Sequence, residues 1–319
     1  MSTSADTAAP AEAGPSPRLL RGTEIAAQVR TSVAAEVTAF REAHGWAPEL
    51  AVVIVGRDAP STVYLHKILD GCRLVGIRDR LVELPDECTG ATLGEQLHAL
   101  SRDPQVAGII VQQPLPRSIP LRAVIDALDP ARDIDGIHPL NAGLLALGYD
   151  GFLPATAHAA VELLKRSGIP MAGRRAVVVG RSNVVGKPAA LLLLREDCTV
   201  AICHSRTPDL ATELRTADIV VVAVGRPGMI TGDMLKPGAV VVDVGINVVE
   251  GRLVGDVDFA TAAPVVSAIT PVPGGVGPLT NAILLTHLMR AARNLAEGRL
   301  DAGTQSLHPS PATSLPPTP

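Results

Sequence analysis

The stretch Ala176-Val-Val-Val-Gly180-Arg-Ser-Asn-Val-Val-Gly186-Lys-Pro188 constrains this chain more than any other. Residues 176–179 are small and β-branched, the composition of a parallel strand buried on both faces. The strand ends at Gly180, and a leucine-rich pattern over residues 184–194 predicts a helix. A strand passing through a glycine-bounded turn into a helix aims backbone N–H groups at one point, which suits a phosphate. The spacing is Gly-x-Ser-x-x-x-Gly, not the usual G-x-G-x-x-G. By itself such a turn is equally a plain strand–helix connection.

The same alternation runs through the rest of the chain. Residues 19–44 read as a long amphipathic helix, 50–55 as a buried strand closed by Gly56, and 60–75 as a helix capped by Gly76. Strand 80–84, helix 92–101, strand 106–111 and helix 121–128 follow, giving an open parallel sheet of three or four strands. The acid- and Pro-rich residues 130–141 break the pattern, a helical stretch covers 140–147, and 152–156 read as the crossing into a second unit. There a helix at 159–166 precedes the opening strand. Strands at 199–203, 219–224, 239–244 and 265–269 come next, with a hairpin at 246–253. A final helix, 281–297, is long enough to return and pack on the first unit. The expected fold class is α/β, two open parallel-sheet domains with a cleft between them, the second of Rossmann type. The expected divisions are a disordered tail at 1–17, a first domain at 18–155 completed by the 281–298 helix, a second domain at 156–280, and a disordered tail at 299–319.

Composition narrows the function classes. The 319-residue chain is 47% hydrophobic but only 2% aromatic, so its cores are built from Ala, Val, Leu and Ile. A net charge of -4 and a pI near 6.1 argue against nucleic acid as a partner. No apolar run reaches the ~18 residues of a membrane span. Cys72, Cys88, Cys198 and Cys203 form no C-x-x-C pair and no signal peptide precedes them, the pattern of reduced thiols in a cytoplasmic protein. His44, His66, His98, His138 and His158 lack ligand spacing, so no metal site is expected.

Cofactor choice is read at the end of the second strand of the second unit. An acid there binds a ribose 2′-hydroxyl and selects NAD. Here the strand ends as Ile202-Cys-His204-Ser205-Arg206-Thr207, with no acid but a hydroxyl and a guanidinium, and Arg181 lies in the neighbouring turn. A lone exposed arginine is by default a surface charge. Two at the selective positions match a 2′-phosphate, and the expected cofactor is NADP. Gly225 and Gly245 end two further strands on the same carboxyl edge. Each alone is an ordinary turn glycine, but together they wall a crevice.

With these pieces assembled, the chain resembles the methylenetetrahydrofolate dehydrogenase/cyclohydrolase family of bifunctional folate enzymes. The matching stretches span residues 19–297. The most specific are Val111-Gln-Gln-Pro-Leu-Pro116, Asp133-Ile-Asp-Gly-Ile-His-Pro139, Gly180-Arg-Ser182 with Val185-Gly-Lys-Pro188, and Pro273-Gly-Gly-Val-Gly-Pro-Leu-Thr280. The resemblance implies NADP-linked oxidation of 5,10-methylene-tetrahydrofolate and hydrolysis of the methenyl product to 10-formyl-tetrahydrofolate. It also implies a homodimer, and a place in one-carbon metabolism and purine biosynthesis. Tyr64 matches the tyrosine that stacks on the folate aminobenzoyl ring, Gln112 the active-site glutamine, and Asp135 the carboxylate that holds the pterin. Gly180, Arg181, Ser182, Ser205 and Ile246 match cofactor contacts. Residues 273–280 match the loop between folate and nicotinamide, with Pro273 and Gly274 toward the substrate and Gly277 and Thr280 toward the cofactor. These roles fit the chemistry: an aromatic face for an aromatic acid, a carboxylate for adjacent ring N–H donors, and Gly-Gly for close backbone approach. Without the resemblance, Tyr64 reads equally as a core residue of a helix face, and Asp135 as a turn-capping acid.

One departure bears on the second activity. The family tyrosine is followed four residues later by a lysine that serves the hydrolysis, and that position is Ile68. Lys67 is offset by about 100° around the helix, so it replaces that lysine only through a helix shift or the reach of its long side chain. Hydride loss driven by a folate nitrogen lone pair needs no enzyme proton, whereas hydrolysis needs proton exchange. The dehydrogenase activity is therefore expected to survive and the cyclohydrolase activity to be weak or absent. Ala155 and Ala157 flank Thr156 where Cys and Pro are usual, and Leu140 stands where Tyr is common. Two competing readings are an NADP dehydrogenase of the same build acting on another small substrate, and a non-catalytic copy that binds NADP or folate.

Overall fold

Parallel strands cannot be joined by tight turns, so each needs a crossover that also covers a sheet face. The computed structural model describes residues 16–56 and 59–299, and the side chains of 59–64 lie outside that description. The tail expectations for residues 1–15 and 300–319 fall outside the described residues.

The described chain starts with β1 (Arg18–Leu19) and α1 (Gly22–His44). Ala26, Val29, Val33, Val37 and Phe40 recur every three or four residues and form the buried stripe of α1. Gly45, at φ +74°, takes the left-handed cap position that ends it. The first parallel unit follows as β2 (Glu49–Val55), α2 (Ala59–Val75), β3 (Arg78–Leu84), α3 (Gly90–Arg102) and β4 (Val106–Val111). Its sheet has three strands in the order β3-β2-β4. Every residue of β2 and β4 is buried, so continuous Val/Ile/Leu runs are what these positions require. Short α4 (Leu121–Ile125), α5 (Pro139–Leu147) and α6 (Ala155–Arg166) lead to the second unit.

That unit contains β5 (Arg175–Val179), α7 (Gly186–Arg195), β6 (Thr199–Cys203), α8 (Leu210–Arg215), β7 (Ile219–Val222) and β8 (Val240–Asp243). The antiparallel hairpin of β9 (Asn247–Val249) and β10 (Arg252–Val254), then α9 (Phe259–Ala262), β11 (Ala268–Ile269) and α10 (Val276–Ala296), complete it. All pairings in its six-stranded sheet, ordered β1-β11-β8-β7-β5-β6, are parallel. The α/β class with parallel sheets is therefore present as expected.

Several boundaries differ for identifiable reasons. Residues 18–19, expected within the first unit, instead pair with β11 at the edge of the second sheet, where Leu20 N–H donates to the Ile269 carbonyl at 2.9 Å. A two-residue strand carries no periodicity, so only the partner edge creates it. Helix α6 starts four residues earlier than expected, directly after Pro154, and α10 starts inside the Gly-rich loop at Val276. The expected helix at 121–128 is one short turn. Helix α10 packs on α1, α2 and β4 as well as on α6, so it joins both units.

Candidate active site

In open parallel sheets, ligands bind beyond the carboxyl ends of the strands, where the chain reverses its direction of sheet building. The first sheet has that point between β2 and β4, since β3 is added on one side of β2 and β4 on the other. Gln112 follows β4 there. Its N–H donates to the Val53 carbonyl at 2.8 Å, and its side-chain amide donates to the Gln113 carbonyl at 2.9 Å.

Residues 132–135 run beside β4 in parallel: Ile109 N–H donates to the Arg132 carbonyl at 2.8 Å, and Ile109 bridges to Asp133. This register brings Asp135 to the same sheet edge as Gln112. The two acids of this segment have separate roles. Asp133 is buried and accepts from His138 N–H at 2.8 Å, Ile137 N–H at 3.2 Å and the Asn141 amide at 2.9 Å, so it builds the turn. Asp135 is half-buried. Burial, reinforced by the charge of Asp133, pushes it up to about 7, against an opposing hydrogen bond from Ala155 N–H. Gly136, at φ +66°, lets the turn lie against the backbone of Leu153 and Pro154, where a Cβ would collide.

Tyr64 lies in α2, at the same end of the sheet, but its side chain is outside the described residues. Ile68 is 2% exposed and packs in the core with Leu65, Leu69 and Cys72. Lys67 is exposed. Ala155 and Ala157 are buried, while Leu140 is exposed.

The second sheet reverses between β5 and β7. Gly180 sits at that point with φ +123°, its N–H donating to the Cys203 carbonyl at 2.9 Å, and an added Cβ would overlap the Ala223 carbonyl just past the end of β7. Gly186 is equally required, because a Cβ there would overlap the Gly180 carbonyl. The Ser182 hydroxyl accepts from Val185 N–H at 3.1 Å and Gly186 N–H at 3.3 Å, capping α7. It thus occupies donors that the sequence reading left free for a phosphate. Val179 is in register with Cys203, so Arg181 and the exposed pair Ser205 and Arg206 leave adjacent strand ends. The remaining wall is held by two buried acids that sequence reading missed. Asp256 accepts from the N–H groups of Val224, Gly225 and Arg226 at 2.7–2.9 Å and from the Asn247 amide at 2.9 Å. Asp243 accepts from Gly245, Asp256 and Val257 N–H groups, while burial pushes it up to about 6.

The loop after β11 is clamped from the start of α1. The Gly274 carbonyl accepts from Thr23 N–H at 3.3 Å and from its hydroxyl at 3.1 Å, and Gly22 lies so close that a Cβ would overlap the Gly275 carbonyl. Pro273 is exposed. Ile246, 63% exposed, reaches Gly277, where a Cβ would stand 3.6 Å from its Cδ1. Thr280 is buried, with its hydroxyl donating to the Val276 carbonyl at 3.3 Å inside α10, so it supports the helix start from within. The fold therefore groups Gln112 with Asp135, Gly180 to Ser182 with Ser205 and Arg206, and Ile246 with Gly277. Among the described residues, no group of three or more His, Cys, Asp or Glu is arranged to hold a metal ion, and no helix is long and apolar enough to cross a membrane.

Comparison with known proteins identifies the family. The tetrahydrofolate dehydrogenase/cyclohydrolase catalytic domain matches residues 20–135, and the NAD(P)-binding domain of the same family matches residues 154–296. The chain is 52% identical over 282 residues to the Bifunctional protein FolD of Roseiflexus sp. (strain RS-1), covering 88% of this chain and 98% of that protein. The crystal structure of the bifunctional FolD methylenetetrahydrofolate dehydrogenase/cyclohydrolase from Campylobacter jejuni superposes with a TM-score of 0.85 at 39% identity, covering 86% of this chain and 98% of the other. That of the Trypanosoma brucei N5,N10-methylenetetrahydrofolate dehydrogenase-cyclohydrolase (FolD), complexed with NADP cofactor and inhibitor, gives 0.84 at 36% identity, covering 88% and 98%.

Proposed function

The chain belongs to the tetrahydrofolate dehydrogenase/cyclohydrolase family, and we propose that it oxidises 5,10-methylene-tetrahydrofolate with NADP and hydrolyses the methenyl product to 10-formyl-tetrahydrofolate. The observation that carries the reading is the pairing of two half-sites. Gln112 and Asp135 leave adjacent segments at the carboxyl end of the first sheet, and the Gly180 turn lies next to the strand end that carries Ser205 and Arg206 in the second. The residues present fit NADP: Gly180 and Gly186 are cradles that a Cβ would fill, and two arginines with a hydroxyl stand where a 2′-phosphate would bind. When bound, the cofactor supplies a hydride acceptor.

In this reading the 18–155 unit with α10 binds folate and the 156–280 unit binds NADP across a cleft. Asp135 accepts from the pterin ring N–H donors, Tyr64 stacks on the aminobenzoyl ring, and Gln112 orients the one-carbon bridge. Pro273 and Gly274 border the folate, while Arg181, Ser182, Ser205, Arg206, Ile246, Gly277 and Thr280 form or support the cofactor wall. The folate nitrogen lone pair drives hydride from the methylene carbon, which leaves a methenyl cation. Water adds to that carbon, one C–N bond opens, and a proton is released. The chain's part in oxidation is orientation and exclusion of water.

The name of the half-identical relative, Bifunctional protein FolD, favours two activities over a single-activity or non-catalytic reading. Ile68 offers no exchangeable proton, so hydrolysis is the weaker of the two. A homodimer in the cytoplasm, serving one-carbon metabolism and purine biosynthesis, completes the proposal. The outward apolar residues Val248, Val249 and Leu253 on the β9–β10 hairpin support an assembly. The test is a coupled assay that follows NADPH formation and then methenyl decay, run with NADP and NAD. Expected are NADP-dependent oxidation and slower hydrolysis, with Arg206→Ala raising the NADP KM about tenfold through loss of a charged hydrogen bond. A strong NAD preference, or no oxidation, would overturn the reading.

A further inference from the structure

Two histidines far apart in sequence meet behind the Asp135 turn. His287, buried in α10, places Nδ1 2.8 Å from the Ile134 carbonyl oxygen and Nε2 3.1 Å from His158 Nδ1 in the first turn of α6. The ring centroids stand 5.3 Å apart with 17° between their planes, so the rings meet edge to edge along that hydrogen bond, and Phe152 tilts against His287 at 5.8 Å. Arg290, also on α10, lies 4.1 Å over the Phe152 ring and pairs with Asp150 at 2.9 Å.

The chemistry of the partners fixes the protons. A carbonyl only accepts, so His287 Nδ1 carries the hydrogen, and in the neutral ring Nε2 accepts. His158 Nδ1 therefore donates. Burial, with the Arg290 charge nearby, pushes both rings down, His158 to about 4, so the pair is neutral and its direction is set.

The carbonyl held by His287 shares its peptide unit with the Asp135 N–H. The Asp135 carboxyl, in turn, accepts from Ala155 N–H on α6, one turn before His158. Asp135 is thus fixed at both ends by helices that the two rings tie together. We propose that His287 and His158 are positioning residues for the folate-holding carboxylate, clamping the Ile134–Asp135 peptide between α10 and α6. The proposal rests on the reading that Asp135 binds the pterin.

The test compares His287→Leu with His287→Asn, whose amide replaces the Nδ1–H donor. Steady-state kinetics are measured with methylene-tetrahydrofolate and NADP, and NADP affinity by titration. His287→Leu is expected to raise the folate KM about tenfold while kcat and NADP affinity stay within about twofold, the signature of lost substrate binding alone. His287→Asn is expected to recover most of that loss. If His287→Leu does not fold, His158→Phe, which keeps an aromatic ring and removes the donor, is compared with His158→Asn, and the same split is expected. Equal folate KM for the apolar and amide variants, or a parallel loss of NADP affinity, overturns the positioning role while leaving the function intact. A wild-type enzyme that does not oxidise methylene-tetrahydrofolate overturns both.

Discussion

At the scale of single residues, environment separates side chains that look alike in sequence. Asp133 and Asp135 stand two apart, yet the first is consumed by the turn, while the second accepts from Ala155 N–H and is the acid we propose for the pterin. Because Asp135 is pushed up to about 7, its ionised form gains population as pH rises through 7, and the folate KM is expected to fall over that interval. Asp135→Asn is expected to raise the KM roughly 10–100-fold and to flatten its pH profile, given what a charged hydrogen bond contributes. Stability runs the other way. The unfolded carboxyl ionises near pH 4 and the folded one near 7, so wild type loses stability relative to Asp135→Asn between those values. Thermal melts at pH 4.5 and 7.5 check the sign. Ile68 is the second informative residue. Ile68→Lys places an amine in the core and is expected to cost roughly 2–4 kcal/mol, while raising methenyl hydrolysis at least about tenfold if that amine reaches the substrate water. A folded variant with an unchanged hydrolysis rate would remove position 68 from the hydrolytic chemistry.

At the scale of elements, contact rather than composition decides what a glycine tolerates. Gly22→Ala drives a Cβ into the Gly275 carbonyl and is expected to reduce kcat/KM for both reactions by about tenfold or more, because it misplaces the loop proposed to border both ligands. Gly143→Ala, in α5 with no neighbour near the new methyl, is expected to stabilise by about 0.5–1 kcal/mol and leave both rates alone. Much of this level was legible in the sequence. The β2, β4, β5 and β7 runs announced themselves because strands covered on both faces tolerate little but Val, Ile, Leu and Ala. The Gly180 turn and the Asp133–Pro139 segment were visible as motifs. What escaped were features made by partners distant in the chain: β1, which exists through its pairing with β11, the Asp243 and Asp256 anchors beneath the Gly225 and Gly245 turns, and the His158–His287 contact. The Ser182 hydroxyl was assigned to the cofactor, and its capping of α7 shows only in the geometry.

At the scale of the whole molecule, the two units exchange their ends. The first described strand, β1, completes the sheet of the second unit, while the last helix, α10, lies against α1, α2 and β4 of the first. A protein consisting of residues 1–275 would leave the apolar partners of α10 bare. It is expected to give no cooperative melt and no folate binding, whereas the full chain melts cooperatively. A soluble, folate-binding 1–275 fragment would show that the units are independent. Synthesis on the ribosome proceeds from the first residue, so β1 waits for β11, made some 250 residues later, and the first core waits for α10. Neither half has a finished surface until nearly the whole chain has emerged. A nascent chain stalled partway therefore presents unfinished apolar faces to chaperones and proteases.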